Sequence, residues 1–185
     1  MLAFESTFTP IELPAAQFNA YLEDEGLTET LAARLRGGAG APGRERYRRC
    51  AKSWLSGQET DRATAPVGLP LEIVPLAAPG LEPRLRIRVL WGGRPLAGAL
   101  VKAWRTPLGQ GGVPTDGEAR DSVGTASQGR TDSHGELSVP VPEPGEWLLG
   151  VVTMAPCKDP SEADWESTWA SLTFERAATG TGPRR

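Results

Sequence analysis

Hydrophobic and polar positions follow two rhythms along this chain, helical before residue 55 and alternating after residue 69. After a strand-like opening, residues 14–36 place Phe18, Tyr21 and Leu22 at i, i+3 and i+4, which predicts one apolar helix face. Gly26 is a stop signal, and Thr28 is expected to cap a second short helix with Leu31 and Leu35 facing inward. The clearest helical pattern covers 44–55, where Tyr47, Cys50, Ala51, Trp54 and Leu55 share one face. Arg44, Arg48 and Lys52 line another face, with Arg49 nearby, which reads as solvated or as anion-binding.

From residue 69 the period is two. LPLEIVPL at 69–76 sets Leu71 and Ile73 against Glu72, and RLRIRVLW at 84–91 sets Leu85, Ile87 and Val89 against Arg84, Arg86 and Arg88. Further strands are expected at 98–105, 136–141, 146–153 and 171–175, with Val101, Leu137, Val139, Leu149, Val151, Leu172 and Phe174 completing a core. Short strands separated by turns predict a mainly β fold, an antiparallel sandwich with a short N-terminal helical segment. The expected organisation is a strand and helical preface at 1–68, a sandwich at 69–176 and a disordered tail at 177–185. Residues 106–133 read as a long polar loop and 155–168 as an acidic loop.

Composition narrows the function classes. Gly 22 and Pro 17 favour turns over long helices, and a net charge of -3 argues against a dedicated nucleic-acid binder. No apolar run approaches the roughly 18 residues of a membrane span. Cys50 and Cys157 lack the spacing of a zinc site; they could pair in an oxidising compartment or stay inert thiols. Gly38, Gly40 and Gly43 match G-x-G-x-x-G formally, but the expected helix before them and Pro42 within them do not fit a dinucleotide loop.

Catalytic candidates do not assemble. The chain has one histidine, His134, in the turn TDSHGE, and no G-x-S-x-G elbow. Glu23 and Glu25 fall on different helix faces, which disfavours a glycosidase pair. The expected protein is therefore not an enzyme and carries no cofactor. The residues nearest a transition-metal pattern are Asp132, His134 and Glu136, with Cys157 as a further donor. Asp159, Glu162, Asp164 and Glu166 are oxygen donors of the kind calcium takes, though without EF-hand spacing. Of six tryptophans, Trp54 and Trp147 read as core. Trp91, Trp104, Trp165 and Trp169 read as core or as an exposed platform for sugars or peptides.

Gly93-Arg94-Pro95-Leu96-Ala97-Gly98-Ala99, Thr131-Asp132-Ser133-His134-Gly135 and Pro144-Gly145-Glu146-Trp147 resemble turns of transthyretin-like and carboxypeptidase-regulatory-like sandwiches. Together with Tyr21–Leu27, Glu45–Arg49 and Asp164–Phe174, they make the chain similar to an uncharacterised bacterial exported family. That family is often labelled a nickel-uptake (NikM-like) substrate-specific component. The resemblance implies an Ig-like or transthyretin-like sandwich that acts as a periplasmic binding or accessory module with a protein or carbohydrate ligand, or a nickel or cobalt uptake accessory working with a membrane transporter. Such relatives begin with a signal peptide and a further β region, so this chain is expected to be shortened at its start.

Overall fold

A computed structural model describes residues 1–55, 64–79, 82–107 and 124–177. Most of the expected long loop and the expected disordered tail fall outside these residues. The chain begins with two short strands, β1 (Leu2–Glu5) and β2 (Thr9–Leu13). Helices α1 (Ala15–Asp24) and α2 (Thr28–Gly37) follow, then β3 (Gly43–Ser53). The remaining strands are β4 (Leu71–Pro75), β5 (Arg84–Trp91), β6 (Arg94–Pro95), β7 (Leu100–Thr106), β8 (Ser127–Arg130), β9 (Glu136–Pro140), β10 (Gly145–Pro156) and β11 (Trp165–Arg176).

These strands form two sheets. The larger has seven strands in the order β1-β3-β11-β10-β7-β8, with β2 also on β3. The smaller has four, β4-β5-β6 with β9 also on β5. Pairing is antiparallel except between β3 and β11, which run parallel from Trp165 opposite Glu45 to Thr173 opposite Ser53. The mainly β sandwich inferred from period two is thus the fold, with one parallel pair that the alternation did not announce.

The core lies between the sheets. Leu85, Ile87 and Val89 from the smaller sheet meet Val101, Leu149, Val151, Leu172 and Phe174 from the larger, with Trp147, Trp54 and Cys50. Burying each such side chain contributes about 1.5–3 kcal/mol. Val139 is buried, and Leu137 packs against the cluster partly exposed.

The helix expected at 44–55 is instead β3. The apolar residues there satisfy helical spacing, but the backbone is paired by β11 on one side and by β1 and β2 on the other. Ladder hydrogen bonds on both edges and burial of alternate residues outweigh a weak local preference. A period-two signal was present: Arg44, Arg46 and Arg48 face one way, Glu45, Tyr47 and Arg49 the other. Trp54 joins the core just beyond the strand, whereas Leu55 is exposed. Residues 1–68 therefore supply three strands of the larger sheet rather than only a preface to it.

Other corrections are local. Thr28 is the first residue of α2, and the cap position is Leu27, which makes no side-chain cap. Leu35 is exposed, while Arg34 is buried and anchors α2. Its Nε donates to Asn19 Oδ1 at 2.7 Å, its Nη2 donates to the Ala41 carbonyl, and its guanidinium lies 4.9 Å from the centre of the Phe18 ring. The acidic loop shrinks to the turn joining β10 and β11, which pair from Gly145 opposite Arg176 to Pro156 opposite Trp165. Part of the long loop forms β8. Glu72 does not face solvent: its carboxylate is buried against Lys52 Nζ at 2.8 Å and accepts the backbone N–H groups of Val67 and Gly68. This pair joins β3 of one sheet to β4 of the other.

Candidate functional site

One face of the larger sheet is core, and the other carries the chemistry. α1 lies across part of this outer face because β3 offers a glycine there. A Cβ on Gly43 would fall 2.2 Å from Cγ of Phe18, so only glycine lets the ring seat on the strand. Gly43 belongs to the formal G-x-G-x-x-G match, and packing against Phe18 accounts for it.

From that anchor α1 aims three polar groups at the sheet. Tyr21 stacks on Trp169 with ring centres 5.8 Å apart, and its hydroxyl donates to Glu45 Oε1 at 3.4 Å. Ser167 Oγ donates to the same carboxylate oxygen. Burial pushes the Glu45 carboxyl above its ordinary range, although the Ser167 and Tyr21 hydrogen bonds pull it back in part. Burial also pushes the Tyr21 hydroxyl strongly up, and the neighbouring Glu45 and Glu25 charges add to this. Farther along, Lys102 is 4 % exposed and donates to Asp24 at 2.5 Å and Glu25 at 3.0 Å. Burial pulls its ammonium down, but the two carboxylates outweigh this and leave it above its usual value. These groups bind α1 to the sheet, and none points to a nucleophile or an open acid–base pair.

Beyond α1, the β1 edge of the outer face is partly exposed, with no helix or strand lying over it among the described residues. Beside α1 a shallow groove of about 290 Å³ is lined by Leu2, Phe4, Arg49, Ala51, Leu148 and Trp169, among others. Leu2 is 62 % exposed and Phe4 59 %, and both rise from β1 as its wall. Ala51, Ser53, Ser171 and Thr173 keep the floor low. Arg49 stands at one end, its guanidinium 5.5 Å from the centre of the Tyr47 ring and 5.8 Å from that of Trp169.

The expected tryptophan platform is not brought together. Trp104 and Trp169 share the outer face, but Trp104 is buried over Gly150 and Trp169 is covered by Tyr21 and Arg49. Trp165 is half-buried at the far end of β11, and Trp91, partly exposed, belongs to the smaller sheet.

The expected metal donors are engaged otherwise. Asp132 Oδ1 accepts the backbone N–H groups of His134 at 2.8 Å and Glu136 at 2.9 Å. Those bonds, the Glu136 one first, hold its carboxyl below the usual range. Gly135, at φ +70°, closes this turn, where a Cβ would lie 2.7 Å from the Val89 carbonyl. The Glu136 carboxylate pairs with Arg88 at 2.5 Å and Arg86 at 3.0 Å, and these bonds lower its pKa. His134 is exposed, and Cys157, like Cys50, is a buried free thiol. Among the described residues no three His, Cys, Asp or Glu side chains are grouped to hold a metal ion. The acidic residues after β10 face cations: Glu162 and Glu166 pair with Arg46, and Asp164 lies 3.9 Å from Arg44.

With this geometry in view, the chain matches the family described as a domain of unknown function (DUF4198) over residues 7–155. The chain belongs to that family. No curated protein and no solved structure matches it significantly. No helix among the described residues is long and apolar enough to cross a membrane.

Sequence reasoning missed Leu2, Phe4, Arg49 and Glu45 as members of one face. Their alternation about β1 and β3 was the available signal. It was hidden because 44–55 also satisfies helical spacing.

Proposed function

We propose that this chain is a non-catalytic binding module that recognises a polypeptide partner in the groove at the β1 edge of the larger sheet's outer face. The observation that carries the reading is the exposure of Leu2 and Phe4 side by side above the groove. Two large apolar side chains exposed beside a groove floored by small residues suit a contact site. A polypeptide is favoured over a sugar because sugar platforms need open ring faces, and Trp169 already has Tyr21 and Arg49 against its ring. The resemblance of the strand turns to exported sandwich proteins supports a periplasmic setting. The metal-uptake reading draws no comparable support, since Asp132 and Glu136 are committed to their own turn and to arginines.

The test is affinity selection from a soluble random peptide pool, run in parallel on the wild-type protein and on a Leu2→Ser/Phe4→Ser variant. Peptides retained by the wild type and lost by the variant are expected. Equal retention, or retention of none, would overturn the reading. Saturable 1:1 nickel binding abolished by His134→Ala would replace it with metal delivery.

A further inference from the structure

We infer that Arg49 is the anchor for a carboxylate on the polypeptide that fills this groove, an inference that rests on the binding reading above. The other cations of β3 each have a partner. Arg44 donates to the Pro160 carbonyl at 3.0 Å, Arg46 pairs with Glu166 at 2.5 Å, Arg48 pairs with Glu5 at 3.1 Å, and Lys52 pairs with Glu72 at 2.8 Å. All four sit on the opposite face of the strand. The Arg49 guanidinium, on the groove side, meets only the Tyr47 and Trp169 rings and has no acid or hydrogen-bond acceptor among the described residues.

That setting suits an incoming anion. The rings hold the guanidinium against the sheet, so its fork of N–H donors is oriented before a ligand arrives. A planar guanidinium takes a carboxylate through two parallel hydrogen bonds. The neighbouring groove wall, Leu2 and Phe4, is apolar, and an occupant resting on it excludes water and strengthens the ion pair. The groove therefore matches an apolar polypeptide segment with one carboxylate at its end, either an Asp or Glu side chain or a free chain terminus.

The experiment uses the whole chain and a soluble random pool of peptides with free carboxyl ends, read by mass spectrometry. Retained peptides are resynthesised with the acid changed to its amide, and separately with an amidated terminus, which tells a side-chain source from a terminal one. Binding is then measured to the wild type, Arg49→Gln, Arg49→Lys and Leu2→Ser/Phe4→Ser. Removing the carboxylate or making Arg49→Gln should each weaken binding at least about tenfold, and the two together should cost little more than either alone. Arg49→Lys should fall between, because it keeps the charge but loses the fork. Circular dichroism checks that each variant is folded. Peptides that need Leu2 and Phe4 but tolerate loss of the acid and Arg49→Gln would overturn the anchor and leave the binding reading standing. Retention of no peptide would remove both.

Discussion

The inner and outer faces of the seven-stranded sheet are built from the same strands, yet they follow opposite rules. Inside, where the two sheets meet, the side chains are nearly all aliphatic or aromatic, and the buried Lys52–Glu72 ion pair is closed by backbone donors; nearer its start, β3 turns Arg44, Arg46 and Arg48 to the same side. Outside, Glu45 and Lys102 are each held by two polar partners, and Trp169 and Arg49 by neighbouring rings. The inner face is fixed by packing density and tolerates little change. The outer face is fixed by a few directional contacts, and its β1 edge leaves Leu2 and Phe4 exposed. Stability and recognition can thus be varied separately on the two sides of one sheet.

The largest effects are expected inside. Trp147→Ala or Trp54→Ala should each destabilise by about 3–5 kcal/mol in urea unfolding, as large-to-small core changes do. A loss below about 1 kcal/mol at either site would show that the inner face is not the core. Glu72→Ala should cost about 3–5 kcal/mol, because it strands the Lys52 ammonium between the sheets. Lys52→Met/Glu72→Leu should recover most of that loss, and failure to do so would show that the pair holds the fold by more than charge balance.

An intermediate effect is expected where α1 meets the sheet. Gly43→Ala should cost about 1–3 kcal/mol by overpacking, since the new methyl enters the Phe18 ring. Adding Phe18→Leu should relieve part of the clash, and strict additivity of the two losses would argue against it.

Smaller still is the effect of pH at Glu45. Its folded pKa is raised by burial, so its contribution to stability is fully present below the unfolded carboxyl pKa and is lost as pH rises through the folded value. Glu45→Gln should therefore match the wild type in mild acid and exceed it at neutral pH in thermal melts. A variant less stable at neutral pH than in acid, relative to wild type, would reverse the sign. The least effect belongs to the exposed β1 edge: Leu2→Ser/Phe4→Ser should leave stability within about 0.5 kcal/mol, and a larger loss would mean that these residues support the fold.

The sequence made the inner face legible and the outer face obscure for a physical reason. Strands such as β5 have one wet side, so Leu85, Ile87 and Val89 alternate cleanly against arginines. β3 is bordered by strands on both edges and carries charges on both faces, so period two has no apolar partner to show it. Tyr47, Cys50 and Trp54 then fell by chance at helical spacing. Glu72 misled in the same way: alternation with Leu71 and Ile73 suggested solvent, whereas the Lys52 ammonium some twenty positions earlier in sequence supplied a buried partner. Leu2 and Phe4 were plainly apolar, but only the strand order reveals that they stand exposed at a sheet edge.

The parallel pairing of β3 with β11 has a consequence in time. Arg46 and Glu166, which meet across this pair, are 120 positions apart, and the whole smaller sheet is threaded between them. Loop closure of that length must precede the contacts that reward it, which slows folding. On the ribosome, β1, β2 and β3 emerge long before their central neighbour exists. Until β11 arrives, β3 presents an unpaired edge, a template for pairing with another chain.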